Sequence, residues 1–387
     1  VHGSDPDSLT AESEAQTRLP FVLMRGGTSK AVFLRGSALP FNRDARDAVI
    51  LALFGSPDPR QIDGLGGADL LTSKLAIIDP PTRSDADIDY TFAQVSITEP
   101  VVDYDINCGN ISAAVGAYAV DEGLIEVQEP VTSLRVHNTN TGRILLVEVP
   151  VTNGSATVEG SFSVHGVPGS GAPIALDFSQ TAGGTTGALL PTGNEIDLID
   201  TAIGPVNVTI VDLANLTVFL DAAAVGMDGT EGPDHVTEVH LGAVAAVKDA
   251  AARVLGIDTD GLIPVPAIVS PPARYTSYST GSQISQSDID LVARVVGGRP
   301  AVLHKAYPGT LAACTGVAAC MPGTVVHRVT SQDRDGEIRI GHTSGVMPVR
   351  ARVNRDGSEW RVDEAVYYRT ARRLAEGTAF LRRSNLA

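Results

Sequence analysis

Cysteine is scarce in this chain, with three among 387 residues. That number cannot close a paired disulfide framework, and it fits a reducing cytoplasm better than an oxidising compartment. No CxxC pair occurs, and His304 and His342 stand in separate segments without metal-ligand spacing, so no metal site is expected. Basic residues are also short: 29 lysines and arginines against 45 aspartates and glutamates give a formal net charge of −16. A field of that sign repels phosphate backbones and anionic membranes, which argues against nucleic acid and membrane as partners. No apolar run reaches spanning length. Residues 1–18 lack the basic segment followed by an apolar stretch that marks a secretion signal, and they read as a disordered N-terminal tail.

What the sequence does contain is an ordinary globular mixture, 43% hydrophobic and 19% charged, punctuated by 39 glycines and 23 prolines. Such a chain is folded and rich in loops. Its length exceeds the usual single core, so two domains are expected. The first begins with "LPFVLMR", "GGTSK" and "AVFLRG", read as a hairpin with a glycine corner. Asn42 caps a helix ending at Gly55. Short strands follow, including "KLAIIDPP", "YTFAQVSIT" and "RILLVEVPV". The stretch "SQTAGGTTGALLPTG" at 179–193 is the best linker. Beyond it, "VNVTIVDLANLTVFLDA" reads as strands, "HVTEVHLGAVAAVKDAAARVLG" as a helix and "DIDLVARVV" as helical. The boundaries expected are 19–183 for an N-terminal domain, 184–372 for a C-terminal domain, and 373–387 for a tail that packs back on the first. An alanine-rich helix opened by a glycine occurs in each half, near positions 108 and 309, which reads as a weak internal duplication.

Chemistry concentrates at those helix entrances. Unpaired amide donors and the positive end of the helix dipole make "CGN" and "PGT" natural sites for a carboxylate. Cys108 at such an entrance, followed by Gly109, reads as a proton donor or acceptor. Taken alone, a free cysteine is more often a small buried core residue. Lys74 follows the glycine-rich "GLGGADLLTS" at the edge of an apolar strand, where a partly desolvated amine serves as a general base. Read singly, it is more often a solvated strand end. In "MRGGTSK", Arg25, Ser29 and Lys30 accompany two glycines. The Walker spacing is absent, so a small carboxylate suits this loop better than a nucleotide phosphate. "LLPTGN" and "SPPARY" read first as structural turns.

Together, "MRGGTSKAVFL", "DGLGGADLLTSKLAII", "NCGNISAAVGAYAVDEGLI", "GVPGSGAPI", "LLPTGNEID", "HKAY" with "MPGTVV", and "GHTSG" resemble the PrpF family. That family comprises 2-methylaconitate isomerases and also takes in 4-oxalomesaconate tautomerases and 3-methylitaconate isomerase. The resemblance runs from about residue 19 to about residue 375. It implies an α/β, diaminopimelate-epimerase-like fold of two pseudo-symmetric domains, each a sheet wrapped around a central helix, with the active site in the cleft between them. By motif position the family's catalytic lysine falls on Lys74 and its catalytic cysteine on Cys108. The implied reaction is a cofactor-independent 1,3-allylic proton shift in an unsaturated di- or tricarboxylic acid. Ser29, Lys30, Ser73, the amides of Gly109 and Asn110, Arg294, and the amides of Gly309 and Thr310 are the expected carboxylate holders. The partner is thus a small polycarboxylate substrate, and a homodimer is compatible with the sequence.

Epimerase relatives carry a second cysteine before the glycine that opens the second central helix, whereas this chain has Pro308. That disfavours a two-thiol epimerase. Cys314 and Cys320 are expected in the core. Ala31, Leu70, Leu216 and Leu311 are further departures from the family pattern, and Leu311 is expected to narrow the pocket. An accessory protein that binds carboxylates for an aconitase-type enzyme, and an amino-acid epimerase, stand as the competing readings.

Overall fold

In the computed structural model, residues 16–105, 107–298, 301–331, 337–357 and 359–383 are described. The chain begins with an antiparallel hairpin, β1 (Gln16–Gly26) with β2 (Ser29–Arg35). β2 then pairs in parallel with β3 (Lys74–Asp79), β3 antiparallel with β4 (Ile88–Val95), and β4 in parallel with β5 (Val131–Asn138). β5 pairs antiparallel with β6 (Arg143–Thr152), and β6 antiparallel with β7 (Ile174–Asp177).

After β8 (Asp197–Thr201), which pairs antiparallel with β9 (Gly204–Leu213), the same series returns. The hairpin is now β9 with β10 (Asn215–Asp221), and β10 runs parallel to β11 (Val265–Ser270). β11 is antiparallel to β12 (Leu291–Gly297), which is parallel to β13 (Glu337–His342). β13 is antiparallel to β14 (Gly345–Asp356), and β14 to β15 (Glu359–Arg369). Both halves therefore read antiparallel, parallel, antiparallel, parallel, antiparallel, antiparallel. β15 joins them by also pairing with β7, and β16 (Ala371–Arg382) returns to pair with β1 along its length.

Helices sit at matching places in the two series. α1 (Arg43–Phe54) lies between β2 and β3, and α2 (Gly109–Asp121) between β4 and β5. α3 (Glu238–Leu255) lies between β10 and β11, and α4 (Gly309–Ala319) between β12 and β13, followed by the short α5 (Val325–Val329). α1 is amphipathic, capped by the Asn42 side chain on Ala45 N–H and ended by left-handed Gly55. It buries Val49, Ile50, Leu53 and Phe54 against the outer face of β2 and β3, where Val32, Leu34, Leu75 and Ile77 point. α3 covers the outer face of β10 and β11 in the same way, through Val244, Val247, Ala250 and Ala251.

The central helices differ in kind. Every residue of α2 from Ile111 to Val120 is buried, and so is every residue of α4. A helix apolar all round belongs in the middle of a core. Close approach to the surrounding sheet is permitted by a glycine at the same step in each. A Cβ on Gly116 would stand 2.7 Å from Val147 and Val149, and one on Gly316 2.7 Å from Val349. The internal duplication is thus plain in topology and packing where it is weak in residue identity. No helix among the described residues is long and apolar enough to cross a membrane.

Two expectations are corrected. "DIDLVARVV" is strand β12, because all of Leu291–Val296 is buried with both faces covered. Its alternation is real, with Leu291, Ala293 and Val295 facing α4 and Val296 facing the α3 side, but apolar residues on both faces hide the period. β1 begins at Gln16, inside the stretch expected as tail, because its first residues pair with Arg382 and Leu381; residues 1–15 lie outside the described residues.

Candidate active site

The N-termini of α2 and α4 abut. A Cβ on Gly109 would lie 3.2 Å from Thr310 N, and 2.0 Å from the hydroxyl of Tyr367. A Cβ on Gly309 would lie 2.3 Å from Cζ of the same ring. Tyr367, fully buried on β15, is therefore wedged between the two helix entrances, and no other residue than glycine fits at either. Its ring stacks on Phe178, with centroids 5.6 Å apart, and its hydroxyl has no hydrogen-bond partner among the described residues.

Each entrance is fastened to its own hairpin corner. Asn110 Nδ2 donates to Thr28 Oγ1 at 3.0 Å, and Asn215 Nδ2 donates to Thr310 Oγ1 at 2.9 Å. The glycine corner is required here, since Gly27 has a φ of 50° and a Cβ on it would meet Asn110 Oδ1 at 2.3 Å. Symmetry ends at the chemistry. The N-cap of α2 is Cys108 and that of α4 is Pro308; the residue paired with Ala31 on β3 is Lys74, and its counterpart on β11 is Val265. Only the first half carries titratable groups at these two places.

Strand alternation aims them. On β2, β3 and β4 the face that meets α2 carries Ala31, Phe33, Ala76, Ile78, Tyr90 and Phe92. In the same register, Ser29 and Lys74 belong to that inner face at the end nearest Cys108, with Gln94 directly opposite Lys74. Lys74 is 7% exposed. Its amine donates to Gln94 Oε1 at 2.6 Å and lies 5.2 Å from the Phe92 ring centroid. Gln94 is itself held, donating to the Ser73 carbonyl at 2.8 Å. Ser29 Oγ is buried without a partner among the described residues. The Cys108 thiol does not cap its helix, while the Cys108 carbonyl accepts from both Ser112 N and Ser112 Oγ.

The surroundings of the thiol are aromatic and cationic. Burial raises the phenols of Tyr90 and Tyr367, and negative charge at Cys108 acts on both in the same direction. Arg369 Nε donates to Asn110 Oδ1 at 2.9 Å. His304, in the loop that leads to α4, is held below its ordinary pKa by burial and, less strongly, by the charge of Lys74. Burial pushes the Cys314 thiol up to about 12 and raises that of Cys320; Cys314 lies in the apolar core and Cys320, partly buried, packs against it.

The structure thus sets Cys108, Gly109, Asn110, Gly309 and Thr310 at two abutting helix entrances, with Ser29 and Lys74 on the sheet face that packs against α2. Three other sequence candidates lie elsewhere. Lys30 sits one step along β2 from Ser29, so alternation turns it to the opposite face, where its backbone N–H donates to Leu71 O. Ser73 Oγ donates to Val95 O and accepts from Gln61 Nε2, both at 2.8 Å, which fixes it inside the loop over α1. Arg294 is 1% exposed, with Nε and Nη1 given to the carbonyls of Glu231 and Ala293 and its guanidinium 4.8 Å from the Tyr275 ring; burial lowers it to about 10. Gln94, Tyr367 and Arg369 were missed. The one signal available for the last two was "YYR" in an alternating strand, which places Tyr367 and Arg369 on one face. Among the described residues, no group of three His, Cys, Asp or Glu is arranged to hold a metal ion.

The family profile described as PrpF protein matches residues 16–382. The 3-methylitaconate isomerase of Eubacterium barkeri is 48% identical over 382 residues, covering 96% of this chain and 99% of that protein. The 2-methyl-aconitate isomerase of Shewanella oneidensis is 37% identical, covering 94% and 96%. A crystal structure of methylitaconate-delta-isomerase superposes with a TM-score of 0.83 at 47% identity, covering 96% of this chain and 98% of that one. A hydroxyproline epimerase at 11% identity and a TM-score of 0.57 shares the fold, in line with the epimerase-like fold expected. On both sequence and structure, the chain belongs to the PrpF family.

Proposed function

We propose that this protein is a cofactor-independent isomerase that moves a proton across a three-carbon allylic unit in an unsaturated di- or tricarboxylic acid. The observation that carries the reading is the placement of a nearly buried lysine, Lys74, on the sheet face that packs against α2, whose entrance carries the thiol of Cys108 beside a second helix entrance. Relatives named for methylitaconate and methyl-aconitate isomerisation support the reaction class.

The chemistry follows from where charge develops. Lys74, as the free amine, takes a proton from the carbon next to the double bond. The electron pair left behind conjugates through the double bond into a carboxylate and forms a dienolate carrying one more negative charge. The amides of Gly109, Asn110, Gly309 and Thr310, and the positive ends of two helix dipoles, stand ready for that charge without reorganising. Cys108 gives its proton to the far carbon, and the double bond comes to rest one position along. Lys74 then holds the abstracted proton and Cys108 is a thiolate, so exchange with solvent or the reverse passage restores the pair. Gln94 holds the amine in line, which is the service expected of a positioning group.

Proton NMR of the enzyme with unsaturated acids of this kind tests the reading. Vinyl signals should give way to methyl or methylene signals of the isomer, or the reverse. No conversion of any aconitate, methylaconitate, itaconate or oxalomesaconate would defeat it. Assistance to a partner enzyme that survives Lys74→Met would instead favour an accessory carboxylate-binding role.

A further inference from the structure

A second receptor for negative charge lies beside the helix entrances. Arg369 follows Tyr367 on the inner face of β15 and is 4% exposed. Its Nε donates to Asn110 Oδ1, its Nη1 to Tyr368 O at 2.9 Å, and its Nη2 to Met347 Sδ at 3.1 Å. A thioether is a poor acceptor. The Tyr367 ring centroid lies 4.7 Å from its Cζ. Among the described residues no carboxylate pairs with it, whereas Arg339, near the outside of the same region, is paired with Asp290. A buried guanidinium lacking a counter-charge is costly unless something else supplies one.

The space it faces is a cavity of about 280 Å³, lined on its buried side by Thr28, Tyr307, His342 and Met347, with the exposed His165 also on its wall. His342 is buried and held well below its ordinary pKa, first by burial and then by Arg369, Arg294, His165 and His304. Its Nδ1 accepts from Ser344 N at 3.2 Å, so the neutral ring carries its proton on Nε2. Thr28 Oγ1 accepts from Asn110 and keeps its own O–H to give. At the outer rim stand Glu337 and Arg339, the latter occupied by Asp290. The inner end offers donors and one unneutralised fork, which matches a planar carboxylate.

We propose that the inner end of this cavity receives the substrate carboxylate remote from the one held at the helix entrances, with Arg369 as the group that binds it. The inference rests on the polycarboxylate reading above and names a second contact for the same molecule. Arg369 also donates to Asn110 in the first turn of α2, which sets the two receptors side by side. A diacid would then have one carboxylate at Arg369 and the other at the helix entrance to which Asn110 belongs.

Calorimetric titration of the full chain with two unreactive saturated acids, glutarate and butyrate, tests this. The native protein should bind the diacid at least tenfold more tightly than the monoacid. Arg369→Gln should bring glutarate down to the level of butyrate and leave butyrate unchanged, and Arg369→Lys, which keeps the charge without the fork, should fall between. Equal weakening of both acids would show that Arg369 only anchors Asn110, and an unchanged glutarate affinity, or a native protein without preference, would equally overturn the proposal. Should Arg369→Gln melt below the titration temperature, His342→Gln on the cavity wall carries the same comparison, with a smaller loss of preference expected. Neither acid reacts, so the outcomes separate: turnover without diacid preference sinks this receptor alone, and preference without turnover sinks the isomerase reading alone.

Discussion

Lys74 Nζ and Gln94 Oε1 are 2.6 Å apart across the antiparallel pairing of β3 and β4. An amine held by one neutral acceptor is oriented without being neutralised by a carboxylate. Gln94→Leu should therefore leave the protein folded and lower kcat by about 10²-fold, the scale of a slightly misplaced catalytic group. Steady-state kinetics with KM measured alongside checks it; a variant with unaltered kcat would remove Gln94 from the account.

The three cysteines should differ sharply toward an alkylating reagent. Cys314 and Cys320 are raised by burial, the former to about 12, so the reactive thiolate is rare at both near pH 8. Cys108 stands half-buried at its helix entrance. Iodoacetamide followed by peptide mass spectrometry should label Cys108 alone, with parallel loss of activity and protection by a saturated polycarboxylate. Labelling of Cys314 first would contradict the burial described.

Gly109 and Gly309 meet different atoms of the same tyrosine. The nearest to a Cβ on Gly109 is the hydroxyl, at 2.0 Å, and the nearest to one on Gly309 is Cζ, at 2.3 Å. Either alanine substitution should destabilise the protein by about 1 to 3 kcal/mol, the usual cost of overpacking. Tyr367→Phe should restore part of the loss in Gly109→Ala and less in Gly309→Ala. Denaturant melts of the three single and two double variants read the difference directly.

Much of this site was legible in the sequence because its signals are local. A glycine after a cysteine at the start of an alanine-rich run marks a buried helix entrance. A lysine at the head of "LAII" marks the first inward position of a strand. Arg294 stands out for a physical reason: in a run apolar on both faces, a single arginine draws the eye as functional, and here its Nε and Nη1 are given to backbone carbonyls. Tyr367 and Arg369 were invisible for the opposite reason. They belong to a strand some 250 residues from α2 that reaches it only because β15 bridges the two halves. The duplication itself survives in strand order and in the paired Gly116 and Gly316 far better than in side-chain identity.

Acid should weaken the fold through its buried histidines. His342 titrates well below 6.5 when folded, while His165 and His304 are lowered too, in each case chiefly by burial. The unfolded chain then binds protons that the folded one refuses, so their contribution is complete above about pH 6.5 and is lost as pH falls. His342, the one fully enclosed of the three, adds at most about 1.4 kcal/mol per pH unit to the slope. Chemical denaturation at pH 7.5, 6.5 and 5.5 should show falling stability, and His342→Gln should flatten the curve between the last two points. A slope unchanged in that variant would refute the assignment.

The division of labour between Lys74 and Cys108 is open to one decisive measurement, the exchange of substrate protons in D2O followed by NMR. With Cys108→Ala, the allylic proton should still wash out into solvent while the double bond stays where it was, because removal of the proton persists without its delivery to the far carbon. With Lys74→Gln, neither exchange nor isomerisation should occur. Exchange that continues in Lys74→Gln, or a Cys108→Ala enzyme that isomerises at the native rate, would contradict the account at its centre.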